Sequence, residues 1–141
     1  MTQQEQIWQD VMELANRPGT FTHGLGLHVT GIGDGWAEGE LTAGAGMLNP
    51  LGIVHGGVYA AMMDHVAGTA ACSRGKDLPD GELRLCISWL PAQPGPAASP
   101  GGERPHGAAD RGDAGLVEDA QGVRRAEGRY TFRRKPAEHK G

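Results

Sequence analysis

The stretch from Leu48 to Gly68 reads LNPLGIVHGGVYAAMMDHVAG, and its spacing is the strongest structural signal in the chain. An Asn-Pro pair and a His-Gly-Gly triplet precede a run of Ala, Val, Met and Gly that predicts a helix over about residues 57–73. One acid, Asp64, interrupts this run. Aspartate is a poor residue for the middle of a helix and gains nothing there from the helix dipole, so its presence indicates a purpose other than stability.

Helical spacing places this acid on a stripe of small residues, which we call the small-residue stripe: Gly57, Ala61, Asp64, Gly68. Val58, Met62 and Val66 form a separate apolar stripe that is suited to packing on a sheet. Because its neighbours on the stripe are only Gly and Ala, a ligand or another backbone has room to come close to the acid.

The glycines that open this helix supply a second candidate group. The first N–H groups of a helix have no acceptor within it, so they can polarise a carbonyl and stabilise an oxyanion. A carboxylate on the same helix, such as that of Asp64, is a candidate base or nucleophile. On the residues alone, an alternative stays open: His-Gly-Gly is only a turn into the helix, and Asp64 is a surface acid.

The spacing of apolar residues predicts one more helix and four strands in the rest of the chain. Ile7, Val11 and Leu14 follow a helical spacing and predict an N-terminal helix over residues 3–15. Alternation of apolar residues predicts strands at four places: residues 24–32, 36–43, 83–90 and 123–134. The polar residues 135–141 are expected to form a frayed tail.

Residues 91–116 break the pattern. They contain five Pro, six Gly and six Ala, and their only large aliphatic residue is Leu116. Such a composition buries too little apolar area to offset the entropy of ordering, yet an unstructured loop of this length is unusual inside a compact domain. Pro, Gly, Ala and Arg have G/C-only codons, so a G/C-rich gene that is read out of frame would give this mixture of residues. We therefore interpret the segment as the product of two compensating frame changes in the gene or its recorded sequence. We therefore expect it to be irregular and to lack strands.

Length and charge narrow the class of protein. The 141 residues predict one domain, 1–141, and the formal net charge of −4 argues against binding to nucleic acid. No apolar run reaches the length of a membrane span, and no signal peptide is visible at the N-terminus, so we expect a cytoplasmic protein without a membrane partner. Asp64 and His65 are adjacent and point to different faces of the helix, which argues against a metal site there.

The stretch NPLGIVHGGVYAAMMDHVAGTAA resembles the signature of hotdog-fold acyl-CoA thioesterases of the phenylacetate-degradation (PaaI) type. It matches in the Asn, in His-Gly-Gly, in an Asp eight residues after the first of those glycines, and in the Gly-x-Ala that follows. The resemblance covers residues 1–90 and about 117–134. It implies an α+β hotdog fold, in which an antiparallel sheet wraps around the central helix at about 57–73.

The resemblance also implies roles for single residues. Asp64 would be the general base or nucleophile at the thioester carbonyl, and the N–H of Gly56 would bind the carbonyl oxygen. Asn49 would position the water or the thioester, and His55 would support the oxyanion loop or the leaving thiol. Three further residues are candidates for lining the substrate site, although packing is the alternative for the last: Gly57, Gly68 and Thr69.

The same resemblance implies an assembly and a reaction. The expected protein is a homodimer or homotetramer with sites at the subunit interface, where Asp64 faces the loop 49–56 of the partner. The expected substrate is an acyl- or aryl-CoA, which is hydrolysed without a metal or other cofactor. Two alternatives stay open: a non-catalytic acyl-CoA-binding hotdog protein, which would not need Asp64, and a hotdog hydratase or dehydratase, for which His65 is the only histidine after Asp64 on the helix.

Overall fold

The computed structural model describes residues 1–74, 79–89, 102–108, 114–119 and 121–134. The chain begins with α1 (Gln3–Ala15), which a reciprocal cap fixes at its start. Thr2 N donates to Glu5 Oε2 at 2.6 Å, and Glu5 N donates to Thr2 Oγ1 at 3.1 Å. Both of these N–H groups would otherwise lack an acceptor in the helix, so the cap defines where α1 starts.

A short helix, α2 (Phe21–Leu25), stands where the sequence predicts the start of a strand. Thr20 caps its first turn, and Gly26 ends it in the left-handed region at φ 80°. The strand β1 therefore begins only at His28 and runs to Gly33. The prediction of a strand from residue 24 is wrong at its start, because the caps Thr20 and Gly26, which are not part of the apolar alternation, decide the local backbone.

The described strands form one antiparallel sheet. After β1 come β2 (Trp36–Thr42), the helix α3 (Gly56–Cys72), and four strands that follow it in sequence: β3 (Pro79–Trp89), β4 (Gly102–Ala108), β5 (Ala114–Glu118) and β6 (Arg124–Arg134). Their order across the sheet is β1-β2-β4-β5-β6-β3. The helix α3 packs on this sheet, mainly on β2, β4, β5 and β6. The expected α+β arrangement of a sheet around a central helix is confirmed, and the helix lies within a residue of its predicted limits.

Two strands in the Pro- and Gly-rich interval correct the expectation that residues 91–116 lack strands. The strand β4 pairs with β2 and β5, and β5 pairs with β6. Strand pairing uses backbone N–H and C=O groups, so it does not require the large apolar side chains that the interval lacks. Residues 91–101 and 109–113 lie outside the described residues, as does the tail 135–141. The frameshift origin of the interval stays a prediction.

The core lies between α3 and the sheet. Met62, Met63 and Val66 are 0% exposed, and Leu41 and Val117 on the strands are at most 1% exposed. Burial of each such side chain is worth about 1.5–3 kcal/mol. The apolar stripe predicted on the helix is therefore its sheet-facing side.

A row of small residues crosses the sheet beneath the helix. Ala37, Gly107, Gly115 and Gly128 are successive cross-strand partners on β2, β4, β5 and β6. A Cβ atom added at Gly115 would lie 2.9 Å from Met63 Cβ, so the glycine lets α3 come closer than an alanine would. Gly115, within the interval, thus has a place in the packing against α3.

The helix α1 packs less deeply than its sequence predicts. Ile7 and Val11 are partly buried, but Leu14 is 47% exposed, so the buried side of α1 is rotated away from the predicted one. Asn16 docks the end of α1 on β1, because its side chain donates to Val29 O at 2.9 Å and accepts from Val29 N at 2.8 Å. In the part of the chain that the structure describes, no helix is both long enough and apolar enough to cross a membrane.

Candidate active site

The first turn of α3 is shaped by His55. This residue is the N-cap, and its Nδ1 accepts a hydrogen bond from Gly57 N at 2.8 Å. Its carbonyl oxygen accepts from Val58 N at 2.9 Å. Because Nδ1 is an acceptor, the ring proton is on Nε2, and this N–H belongs to an exposed side chain. His55 thus holds the helix start in place and keeps one donor for other partners.

The N–H of Gly56 stays open at this helix start. Gly57 and Val58 donate to His55, whereas Gly56 N–H has no acceptor among the residues that the structure describes. Gly56 is partly exposed. A backbone donor at a helix N-terminus, where the dipole favours negative charge, is suited to a carbonyl oxygen on which charge develops.

The loop before α3 is a tight turn organised by Asn49. Its side-chain oxygen accepts from Leu51 N at 2.9 Å and from Ile53 N at 3.4 Å, while its backbone N donates to Ile53 O at 2.8 Å. Gly52 adopts φ 78°, which the turn requires. With the oxygen engaged, the NH₂ of Asn49 is left without an acceptor within the described part of the chain, so it can donate to a substrate or water.

The small-residue stripe is open from Gly57 to Gly68. Gly57 is exposed, and Ala61, Asp64 and Gly68 are each partly exposed, whereas Met62 next to them is fully buried. The helix therefore presents its Gly and Ala face, with the one carboxylate, away from its own sheet. This is the arrangement that the spacing of these residues predicts.

Asp64 differs electrostatically from the acids that have partners. Burial raises the pKa of its carboxyl group above the usual 3.8, and the nearby His65 only partly opposes this shift. By contrast, the side-chain hydrogen bond from Arg74 lowers the pKa of Asp34. Asp64 has no hydrogen-bond partner among the described residues. A partly buried carboxylate without a partner costs stability, and such groups concentrate at functional sites.

The neighbouring His65 points to a different part of the molecule. Its Nε2 donates to Ala15 O, at the end of α1, with a separation of 3.1 Å. Burial lowers the pKa of the ring, opposed by the Ala15 hydrogen bond and by the charge of Asp64. Across the described ranges, no group of three His, Cys, Asp or Glu residues is placed to hold a metal ion.

Thr69 is not brought to the stripe with Gly57 and Gly68. Its side chain is only 6% exposed, and its Oγ1 donates to His65 O at 2.7 Å. The hydroxyl is therefore used inside the helix, and the packing alternative describes this residue. Helical spacing puts Thr69 one position past the stripe, which is enough to turn it towards the interior.

Two apolar side chains beside the site were not singled out from the sequence. Leu51 is 83% exposed and Ile53 is 38% exposed, and both lie on the turn that Asn49 organises. Apolar residues held outward by a rigid turn favour contact with another surface or an acyl group. The signal available in the sequence was the pair of large aliphatic residues between Asn-Pro and His-Gly-Gly.

The open donor and the carboxylate lie on one helix but far apart. Gly56 and Asp64 are separated by eight residues, which corresponds to about 12 Å along a helix axis. A donor must lie about 3 Å from the oxyanion, and a base must lie about 3 Å from the proton that it removes. Within one chain, the donor and the carboxylate are therefore about two helical turns apart.

Comparison with known proteins agrees with this architecture. Residues 51–90 match the family model of the thioesterase superfamily. The PaaI protein of the Escherichia coli phenylacetic acid degradation operon superposes with a TM-score of 0.77 at 18% identity, over 96% of this chain and 97% of that one. Among proteins with curated functions, none matches the chain in sequence.

Two further solved structures extend the likeness. A conserved protein from Pseudomonas aeruginosa has a TM-score of 0.67 and 26% identity, over 90% of this chain and 98% of that one. Thioesterase superfamily member 2 from Mus musculus has a TM-score of 0.70 and 16% identity, over 95% and 98% of the two chains. The chain thus has the hotdog fold, resembles the PaaI-type thioesterases, and matches the thioesterase superfamily in the segment that contains all of α3, including Asp64.

Proposed function

We propose that this protein hydrolyses an acyl- or aryl-CoA thioester to the free acid and CoA, with Asp64 as its base or nucleophile. One observation carries the proposal: the carboxylate of Asp64 is partly buried and without a partner among the described residues, on the open small-residue stripe of α3. The thioesterase-superfamily match over residues 51–90 supports the reaction class. An aryl-CoA is a natural first substrate to try, because one structural neighbour belongs to a phenylacetic acid degradation operon.

In the general-base route, Asp64 takes a proton from a water molecule, and the water oxygen attacks the thioester carbonyl carbon. The π-electron pair of the carbonyl moves to its oxygen, where the N–H of Gly56 stabilises the negative charge. When the C=O bond re-forms, the C–S bond breaks and CoA leaves as a thiolate. The proton held by Asp64 then passes to the CoA thiolate, so Asp64 returns to its starting state and the products are the free acid and CoA.

In the nucleophile route, an oxygen of Asp64 attacks the carbonyl carbon directly. The C–S bond breaks to release CoA thiolate and to leave a mixed anhydride, which water then hydrolyses to the acid and the free carboxylate. Rapid acid quenching followed by peptide mass spectrometry distinguishes the routes. An acyl adduct on the peptide that contains Asp64 indicates the nucleophile, and its absence during turnover indicates the base.

The remaining site residues act as donors or leave space. The free NH₂ of Asn49 would hold the attacking water or the thioester, and the Nε2–H of His55 would stabilise the leaving thiolate. Gly57 and Gly68 would let the substrate come close to α3, since neither has a side chain. We leave Thr69 out of the proposed site, because its hydroxyl is engaged with His65 O.

We further propose that the site is shared between two copies of the chain. The separation of about 12 Å along α3 between Gly56 and Asp64 favours a site in which the donor and the carboxylate at one thioester come from different subunits. The exposed Leu51 and the open small-residue stripe are surfaces that such a pairing would bury. The assembly would be a homodimer or a homotetramer, and the cytoplasm, which contains CoA thioesters, would be its location.

A panel of acyl- and aryl-CoA thioesters, incubated with the protein and a thiol reagent, tests the function. We expect release of free CoA that depends on the protein. Binding of the thioester without release of CoA would instead favour a binding module. Reversible hydration of an unsaturated acyl chain, with no free thiol, would favour a hydratase.

A further inference from the structure

The His65 side chain connects two helices beside the proposed active site. Its Nε2 donates to the carbonyl oxygen of Ala15 at 3.1 Å, although the two residues lie 50 positions apart in the chain. Ala15 is the last residue of α1. The last four carbonyl oxygens of a helix accept no hydrogen bond within that helix. His65 supplies a donor for one of them, the carbonyl oxygen of Ala15.

The helix α1 is attached to α3 at a second point. Gln4 Nε2 and Trp8 Nε1 both donate to Ser73 O, at 2.9 Å and 3.1 Å, just after the end of α3. His65 and Ser73 are eight residues apart, which is about 12 Å along a helix. The first half of α1 is therefore tied to the end of α3, and its last residue is tied to the turn that contains Asp64.

We propose that His65 is a positioning residue for Asp64: its hydrogen bond to Ala15 holds the end of α1 against the turn of α3 that carries the carboxylate. The docked helix excludes water from that flank and fixes the side chain next to Asp64. This proposal rests on the proposed thioesterase function, and it goes beyond it by assigning α1 a part in the site. The residue acts through Asp64 and does not itself meet the substrate.

Two substitutions separate the donor from the other properties of the ring. His65→Gln keeps an N–H donor at a similar reach and removes the titratable ring. His65→Phe keeps the planar shape and removes the donor. Trp8→Phe is the matched control, because it removes a donor from the other attachment of α1, away from Asp64.

We expect His65→Phe to lower kcat about 10-fold with little change in KM, because small misplacements of a catalytic group are costly. His65→Gln should stay within about threefold of wild type, and Trp8→Phe should lose stability while keeping kcat. In ¹³C NMR, the titration of the Asp64 carboxyl should move towards that of an ordinary aspartate only in His65→Phe.

Three results would overturn the positioning role. These are wild-type kcat in His65→Phe, an equal loss in His65→Gln and His65→Phe, and a loss of kcat in Trp8→Phe as large as in His65→Phe. If His65→Phe does not fold, a kcat for His65→Gln below that of Trp8→Phe overturns it as well. The NMR comparison needs no turnover, so a wild-type protein that cleaves no thioester would refute the proposed function and leave this test decisive.

Discussion

Replacing Gly115 by alanine tests whether β5 lies against the central helix as the structure places it. An added Cβ would be 2.9 Å from Met63 Cβ and 3.2 Å from Met63 Cγ. Carbon atoms pack best at about 3.5–4.0 Å, and neither Cβ can rotate away, so α3 or β5 must move by roughly 0.5–1 Å. Overpacking of this kind costs about 1–3 kcal/mol, because a close-packed core has little room to yield.

Thermal and urea unfolding, followed by circular dichroism, measure this cost. For a chain of this length, 1 kcal/mol corresponds to about 4 °C, so we expect Tm to fall by about 4–12 °C in Gly115→Ala. Gly46→Ala is the matched control, because its Cβ meets nothing within 4 Å. We expect this control to be neutral or slightly stabilising. Equal stability of the two variants would refute the close packing of β5 against α3.

Two substitutions and one mass measurement test the site and the unusual interval further. Burial raises the pKa of Asp64, so ionisation of this group destabilises the folded protein above the raised pKa, and the cost disappears below 3.8. Asp64→Asn should therefore raise Tm at pH 7 and not below pH 3.8; an unchanged Tm at pH 7 would contradict the burial. Leu51→Ser should raise the dissociation constant of the proposed dimer about 10-fold or more in sedimentation experiments, because burial of a leucine is worth about 1.5–3 kcal/mol. An unchanged dissociation constant would place Leu51 outside the interface. The intact mass of the natural protein should differ from that of the printed sequence if residues 91–116 are frameshifted, and a matching mass would dismiss this origin.

Spacing alone predicted the part of the fold that a local pattern determines. The central helix and the strand β2 follow from apolar periodicity, and so does the small-residue stripe around Asp64. These features are readable because helices and alternating strands place their side chains with fixed periods. The role of Asp64, in contrast, came from a resemblance, since a lone acid on a helix does not distinguish a surface residue from a catalytic one.

Features that depend on distant partners could not be read in this way. The strands β4 and β5 are held by backbone pairing with β2 and β6, and their Gly and Ala residues gave no apolar pattern to detect. Thr69 packs inward because it lies one position past Gly68, which turns its side chain off the small-residue stripe. His65 bonds to Ala15 across 50 residues, and no local pattern indicates that contact.

The measurement that tests the central claim most directly is kcat/KM of Asp64→Asn on the thioester that the wild type cleaves fastest. Loss of a base or nucleophile should lower kcat/KM by about 10²-fold or more. The variant should keep the circular dichroism spectrum and the sedimentation coefficient of the wild type. Asp10→Asn is the matched control, since Asp10 is an exposed acid that accepts a hydrogen bond only from Gln6 among the described residues, and it should stay within about twofold. A kcat/KM for Asp64→Asn within about threefold of the wild type would contradict the assignment of Asp64 as the catalytic carboxylate.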